Sequence, residues 1–179
     1  MPNWAFGTVA ITGSKEGILN FTRRFIYEGT DRDKIEPNFF ARSFAQATRS
    51  ETVDEIENLY ANVPAEAVDT FCMNVYFAWS ANNCLIDGYP QQFPECISLA
   101  DACVTDRVSV EILTEEPGIS FEENIHCDKD GRVTSVSRDM PIYTCPLCGN
   151  GFPFPSYLDI GEYICPVCEE SVLRLKAAD

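Results

Sequence analysis

The 179-residue chain contains a single histidine, His126, and only 13 lysines and arginines against 28 aspartates and glutamates. One histidine excludes metal centres built on pairs of histidines and leaves little material for acid–base catalysis. The net charge of −15 argues against binding of a nucleic-acid backbone by the whole chain, because phosphate contacts need lysine and arginine. No apolar run approaches the ~20 residues of a membrane-spanning helix, and no secretory signal follows Met1, so we expect a cytoplasmic protein.

Sequence motifs of common enzyme classes are also missing. The chain has no P-loop, no Gly-x-Gly-x-x-Gly and no Gly-x-Ser-x-Gly segment. A cysteine–histidine dyad would have to use His126, and its neighbour Cys127 is excluded because adjacent side chains of a strand point to opposite faces. We therefore predict no catalytic residue and no organic cofactor, and an enzyme of unrecognised type is the least favoured alternative.

The negative charge is concentrated in the middle of the chain. Residues 61–130 hold thirteen acidic and two basic side chains, a net charge of −11, whereas residues 1–60 and 131–179 each carry −2. This segment includes two acidic pairs, Glu115 with Glu116 and Glu122 with Glu123. One interpretation is a solubilising surface. The other is a docking surface of these four carboxylates for a partner with a basic cleft, such as a nucleic-acid enzyme.

Four of the nine cysteines carry the clearest chemical signal. They form two Cys-x-x-Cys pairs with sixteen residues between them: Cys145, Cys148, Cys165 and Cys168. This spacing is typical of zinc ribbons, in which two turns supply four thiolates to one tetrahedral ion. Because four protein ligands leave no position for water, the pattern predicts one structural zinc ion. Redox dithiols are the weaker alternative, since neither pair precedes a helix as in thioredoxin-like proteins.

The other five cysteines have irregular spacing: Cys72, Cys84, Cys96, Cys103 and Cys127. An odd total fits a reducing compartment better than a disulfide framework. Cys96 and Cys103 fall on the apolar face of a predicted helix, where we expect them to be small core residues.

Hydrophobic periodicity predicts most of the secondary structure. Alternation indicates strands over 4–12, 69–79 and 108–113 and a hairpin of 119–127 with 132–137. Helical periodicity follows an N-cap at Ser14 and ends at Gly29, and a second helix covers 94–104. Residues 30–66 are the least legible: 39–44 could form a strand, and a capping box at Thr52 indicates a short helix.

The order of these elements indicates an α+β fold in two parts. Residues 1–140 fit a ferredoxin-like βαββαβ sandwich with an extra β-hairpin, and residues 141–179 form a small zinc ribbon with four cysteine ligands. In the first part, Phe71, Met73, Val75, Phe77 and Trp79 should share one buried face of a strand. Trp4 should cover one end of the sheet, because large aromatic side chains dominate core energetics.

Three sequence features resemble the YubB ferredoxin-like domain family of phage, plasmid and gut-bacterial proteins. They are the opening residues 1–4 with the strand and Gly13 turn that follow, the segment Tyr-Phe-Ala-Trp-Ser at 76–80, and the segment Glu-Pro-Gly-Ile-Ser-Phe at 116–121. The resemblance spans roughly residues 1–135, although the Trp-Gly pair that often precedes the third strand in the family is absent. It implies a mobile-element origin, a location in the host cytoplasm and the ferredoxin-like fold, and it implies no catalytic residue.

These observations favour a non-enzymatic protein-binding accessory protein of a phage or mobile element. The most specific version of this hypothesis is an inhibitor of a host nucleic-acid-binding enzyme. As an anti-CRISPR-like acidic decoy, it would compete with nucleic-acid phosphates for the basic channel of that enzyme. The alternative is a nucleic-acid-binding accessory protein that uses aromatic side chains of the sheet and the ribbon. Its basic residues would be those of the N-terminal segment: Arg23, Arg24, Arg32, Lys34, Arg42 and Arg49.

Overall fold

The computed structural model describes residues 4–26, 45–47, 58, 60–64, 66–87 and 97–175, which form a mixed α+β arrangement. The elements in chain order are β1 (Trp4–Ser14), α1 (Lys15–Phe25), β2 (Ala45–Ala47), β3 (Val68–Ala78), a π-helix (Asn83–Asp87), α2 (Leu99–Asp106), β4 (Ser109–Glu116), β5 (Phe121–Cys127), β6 (Val133–Asp139), β7 (Ile142–Thr144), β8 (Gly151–Pro153) and β9 (Arg174–Leu175). Several predictions lie outside the described residues: the strand over 39–44, the start of the helix at Thr52, Cys96, Arg32, Lys34, Arg42 and Arg49.

Strands β1 to β6 form one antiparallel sheet, called the large sheet below, in the order β2-β3-β1-β4-β5-β6. Strand β1 pairs along its whole length with β3, from Trp4 opposite Ala78 to Ser14 opposite Val68. Two successive hairpins then add β5 and β6. In the second turn, Asp128 Oδ1 accepts hydrogen bonds from the N–H groups of Asp130 and Arg132, each at 2.9 Å. The hairpin predicted across residues 128–131 is confirmed.

The two helices pack on one face of the large sheet and form its hydrophobic core. Helix α1 contributes Ile18 and Phe21, which are fully buried with Ile11, Phe77 and Ile112 of the strands. The predicted alternation of β3 is confirmed for four side chains on this face: Phe71, Met73, Val75 and Phe77. Along each of these strands, the side chains that alternate with the buried ones point to the opposite face of the sheet, where they are partly or fully exposed. This opposite face is called the open face below.

The prediction that Trp79 continues the buried stripe is wrong. Strand β3 ends at Ala78, and Trp79 follows with a left-handed backbone (φ 70°) and 47% of its surface exposed. The strand's alternation therefore stops one residue earlier than the hydrophobic pattern. Trp4 at the start of β1 is 37% exposed, and its expected role of covering one end of the sheet stays a prediction.

Both helices begin at serine caps. Ser14 Oγ accepts a hydrogen bond from Gly17 N–H at 3.1 Å, as predicted, and α1 ends at Phe25. Helix α2 begins at Leu99 rather than near Pro94, because Ser98 Oγ accepts from Asp101 N–H at 3.1 Å and fixes the first turn there. The two helices are joined by a bidentate ion pair between Arg24 and Asp106, at 3.1 and 3.3 Å.

A second, three-stranded antiparallel sheet follows, in the order β8-β7-β9. We call residues 141–175 the cysteine unit. Its buried cluster consists of Cys145, Cys165 and Leu173, with partly buried aromatic side chains around them. Within the described residues, no helix has the length and apolar composition needed to cross a membrane.

Candidate metal centre and the cross-strand row

The structure brings together the four cysteines of the two Cys-x-x-Cys pairs. The sulfur atoms of Cys145, Cys148, Cys165 and Cys168 all lie within 4.8 Å of one another. Two of the separations are 3.6 Å, from Cys145 to Cys168, and 3.7 Å, from Cys148 to Cys165. These distances exceed the roughly 2.05 Å of a disulfide bond, and the four thiols are free. Four convergent sulfurs can hold one metal ion.

Two similar turns aim these sulfurs at one point. In the first turn Gly149 N–H donates to Cys145 O, and in the second Glu169 N–H donates to Cys165 O, each at 2.9 Å. Both donors have a left-handed backbone, with φ of 75° at Gly149 and 56° at Glu169. The first turn uses glycine, which adopts this conformation without steric cost, whereas the second places an ordinary residue there.

A backbone donor and a side-chain donor form hydrogen bonds to two of the sulfurs. Cys148 N–H donates to Cys145 Sγ at 3.4 Å, and Asn150 Nδ2 donates to Cys148 Sγ at 3.2 Å. The hydrogen bond from Cys148 N–H is the chief reason that the pKa of the Cys145 thiol falls to about 6. A lowered pKa favours the thiolate, which is the form that binds a metal ion. Cys145 and Cys165 are buried while Cys148 is exposed, so the centre opens to solvent on one side.

The described cysteines outside this cluster are separate from it. Cys84, Cys103 and Cys127 are buried, and burial raises the pKa of the Cys84 thiol to about 12. Cys103 is in the core, as predicted, and the neighbouring Cys127 thiol, together with burial, raises the pKa of the Cys103 thiol. His126 is exposed on β5 while Cys127 is buried, so the two side chains lie on opposite faces.

The docking prediction fails for three of its four glutamates, because they are buried. Glu123 is 3% exposed, Glu122 4% and Glu116 6%. Glu116 Oε2 accepts a hydrogen bond from Ile119 N–H at 2.7 Å and closes the turn between β4 and β5. Buried carboxylates held by internal donors cannot form an exposed docking surface. The surface predicted from these pairs is therefore wrong as stated.

Glu123 lies on the helix face of the sheet and caps the helical turn that follows β3. Its Oε2 accepts from Ala81 N–H at 2.7 Å and from Asn82 N–H at 3.4 Å. Ser137 Oγ donates to its other oxygen at 3.2 Å. This carboxylate therefore accepts hydrogen bonds from N–H groups at the start of the helical residues 81–87.

Glu115 and Glu122 lie on the open face in a row of cross-strand neighbours. The register places Phe6 opposite Glu115, Glu115 opposite Glu122, and Glu122 opposite Arg138. Phe6 is also opposite Tyr76, and their ring centroids are 6.5 Å apart. We call these five side chains the cross-strand row. It crosses β3, β1, β4, β5 and β6 in that order.

The cysteine unit contacts the acidic end of this row. Glu122 accepts from Arg138 Nε and from Ser156 N–H, each at 2.6 Å, and Arg138 also donates to Ser156 Oγ. Burial opposes ionisation of Glu122, but the hydrogen bonds from Ser156 and Arg138 outweigh it and lower its pKa. Tyr157 OH donates to Glu115 Oε2 at 3.4 Å. The predicted docking residues Glu115 and Glu122 thus join the large sheet to the cysteine unit.

A cavity of about 280 Å³ opens beside this contact. Its lining combines apolar, amide and charged side chains: Leu113, Glu122, Glu123, Asn124, Val136, Arg138, Ser156 and Tyr157. Sequence reasoning identified the glutamates but missed Arg138, Ser156 and Tyr157. The pairing of Glu122 with Arg138 follows from the hairpin register once the turn at 128–131 is placed.

No family model matches the chain, and comparisons with curated proteins and with solved structures find no significant match.

Proposed function

We propose that this chain is a non-enzymatic protein-binding protein whose C-terminal part is a zinc ribbon held by one structural zinc ion. The observation that carries the zinc-ribbon part of the proposal is the convergence of four cysteine sulfurs on one point. A tetrahedral ion with Zn–S bonds of about 2.3 Å requires sulfurs about 3.8 Å apart. The separations of 3.6 and 3.7 Å agree with that geometry.

A structural role for the zinc ion follows from its ligand set. Cys145, Cys148, Cys165 and Cys168 would fill all four positions, and catalytic zinc needs an open position for water or substrate. The ion would act as a Lewis-acidic anchor for thiolates and replace part of a hydrophobic core. The backbone hydrogen bonds of the two turns and the hydrogen bond from Asn150 Nδ2 position the thiolates.

For residues 1–140 we propose the ferredoxin-like plan with an added hairpin. Its support is the antiparallel order β2-β3-β1-β4, with α1 after β1 and α2 before β4. Membership of the YubB family and a mobile-element origin remain predictions that rest on the sequence segments alone.

The proposed partner is a protein with a basic surface, and the finer hypothesis is a nucleic-acid enzyme inhibited by this chain. Its support is the net charge of −15, which attracts basic surfaces at long range and repels phosphates. Three of the four glutamates first assigned to docking are buried, so the charge of the protein as a whole supports this proposal better than those pairs do.

A nucleic-acid-binding function is the second candidate, because one observation favours it. Phe6 and Tyr76 form a partly exposed aromatic pair on the open face, where single-stranded bases could stack. Against it, the same face carries Glu111 and Glu115, and Arg24 is already paired with Asp106. Within the part of the chain that the structure describes, these acidic side chains beside the aromatic pair would repel a phosphate backbone.

One experiment separates these candidates. The immobilised zinc-loaded chain is exposed to bacterial lysate with and without nuclease, and each retained protein is then purified and tested for direct binding. We expect a basic protein that is retained after nuclease treatment and binds the purified chain. Retention that disappears with nuclease, together with salt-sensitive gel shifts of single-stranded DNA or RNA, would contradict protein binding and favour the second candidate.

A further inference from the structure

Two neighbouring carboxylates of the cross-strand row differ in whether a cation lies beside them. Glu115 on β4 lies directly opposite Glu122 on β5, an arrangement that is destabilising for like charges. Glu122 has a cation on its other side, since Arg138 Nε lies 2.6 Å away. Within the described ranges, Glu115 has no lysine or arginine partner, and its hydrogen bond comes from the neutral Tyr157 hydroxyl. The row therefore contains one uncompensated carboxylate.

The field around Glu115 is negative. Burial first, and then the charge of Glu122, raise the pKa of Glu115, while the hydrogen bond from Tyr157 opposes this change. Burial and the charge of Glu115 likewise raise the pKa of Tyr157 to about 12. A cation beside both groups would reverse these effects.

A cavity lined by Tyr157, whose hydroxyl contacts Glu115, has the size for one long cationic side chain, and its wall also includes the paired Glu122 and Arg138. Its volume of about 280 Å³ lies below the roughly 300–1,000 Å³ of sites for drug-sized ligands. Leu113 and Val136 provide apolar walls, against which the methylene groups of lysine or arginine can pack. Phe6, whose ring is partly exposed, lies opposite Glu115, and the hydroxyl of Tyr157 lies 3.4 Å from the Glu115 carboxylate. Aromatic rings such as these attract cations.

We propose that Glu115, with Tyr157, Leu113 and Val136, forms a subsite for one arginine or lysine side chain of a partner protein. The inference rests on the proposed protein-binding function and names the point at which the basic partner is held. The incoming cation completes the row by pairing with Glu115, as Arg138 pairs with Glu122. Its aliphatic stem occupies the cavity between the large sheet and the cysteine unit.

The test uses the isotope-labelled, zinc-loaded chain and two short peptides that differ in one group. Acetyl-Gly-Arg-Gly-amide is the cationic probe, and acetyl-Gly-citrulline-Gly-amide is its neutral counterpart. We expect amide shifts concentrated at Leu113, Glu115 and Tyr157 with the arginine peptide and at least fivefold weaker binding of the citrulline peptide. Equal binding of the two peptides, or shifts elsewhere on the sheet, would overturn the subsite.

Two variants locate the cation contact. Glu115→Gln keeps the size of the side chain and should weaken the arginine peptide about fivefold, as for a partly exposed ion pair assisted by aromatic rings. Glu111→Gln is the matched control, because Glu111 is an exposed residue on the same strand and the same face, opposite His126. It should leave binding within twofold of the unmodified chain. Equal losses in both variants would show non-specific attraction to an acidic protein and overturn the inference.

The same variants separate this inference from the proposed function. A basic protein that binds the unmodified chain and Glu115→Gln equally well would overturn the subsite and leave the protein-binding function standing. Specific binding of the arginine peptide at Glu115, without any directly binding protein partner, would support the subsite and contradict the proposed function. Spectra of Glu115→Gln that match the unmodified chain away from β4 and from the Glu115 neighbours Glu122 and Tyr157 verify that the variant is folded.

Discussion

The large sheet and the cysteine unit differ in the size of their hydrophobic clusters. Among the described residues, twenty-three buried apolar side chains form the cluster between the large sheet and its helices. The corresponding cluster of the cysteine unit has three members, and two of them are the metal-ligand candidates Cys145 and Cys165. A unit of about 35 residues cannot bury enough apolar surface to fold by itself. The stability of the large sheet therefore depends on apolar packing, and we expect the stability of the cysteine unit to depend on the proposed metal ion.

The largest effect on this difference between the two regions is expected when one of the proposed metal ligands is replaced. We expect Cys165→Ser to unfold residues 141–175 while the large sheet stays folded, because structural zinc contributes about 10–16 kcal/mol to small zinc domains. Backbone amide spectra with and without a chelator, together with zinc content, measure the effect on each region separately.

Cys72→Ser is the matched control, because Cys72 is an exposed cysteine on the open face of β3 and lies outside the sulfur cluster. It should retain full zinc content and an unchanged spectrum of the cysteine unit. A Cys165→Ser protein whose cysteine unit keeps its folded spectrum would contradict dependence on the metal.

The reciprocal change tests the packed region. Phe77→Ala removes a fully buried ring from the core between β3 and the helices, and we expect a loss of about 3–5 kcal/mol in the free energy of unfolding of the large sheet. Denaturant unfolding followed by the near-ultraviolet signal measures this loss. Zinc affinity should not change, since Phe77 belongs to the other cluster. A parallel loss of zinc affinity would show that the two regions fold as one unit.

A smaller effect is expected from the polar group inside the packed region. Glu123→Leu keeps a side chain of similar size but removes both accepting oxygens, and this leaves the N–H groups of Ala81 and Asn82 without the carboxylate that accepts from them. An unsatisfied buried polar group costs about 1–3 kcal/mol, and we expect a loss of that size in denaturant unfolding. The exposed Glu111→Gln should change stability by less than about 0.5 kcal/mol. Similar losses in both variants would contradict the capping role.

The two regions also differ in how far the sequence predicts them. In the cysteine unit, the spacing of the four cysteines predicts that their sulfurs converge, and the structure confirms this convergence. In the large sheet, alternation predicts β1, β3 and the hairpin, since a strand with one buried face has a period of two. The same alternation misplaces Trp79, because the backbone leaves the strand conformation at that residue.

Charge was the least informative part of the sequence, and the glutamates show why. The prediction from charge assumed that each carboxylate is exposed. Side chains alternate along β5, however, and this alternation places Glu123 on the helix face and Glu122 on the open face. Whether each is buried then depends on distant segments: residues 81–82 for Glu123 and Ser156 for Glu122. Local sequence carries no signal for such contacts. The position of Glu123 opposite Thr114 and Ser137 could be derived once both hairpin turns are placed.

The smallest effect is expected at the contact between the two regions. Arg138→Gln removes the ion pair with Glu122, whose partner Arg138 is more than half exposed, so we expect a loss of about 1 kcal/mol at neutral pH. Hydrogen bonds from Ser156 and Arg138 hold the pKa of Glu122 below its ordinary value despite burial. A group with a lowered folded-state pKa contributes stability that is complete above its unfolded pKa, near 4.5, and is lost as the pH falls through the folded value.

The difference in thermal stability between the unmodified chain and Arg138→Gln should therefore be constant above about pH 5.5 and should shrink in more acidic solution. Protonation of the cysteine ligands also destabilises the cysteine unit in acid, but it affects both proteins and cancels in the difference. Glu122→Gln supplies the limiting case, because its contact with Ser156 cannot titrate. A difference that does not change on acidification would contradict an ion pair that titrates with Glu122, and would mean that the contact between the large sheet and the cysteine unit does not depend on the charge of this carboxyl.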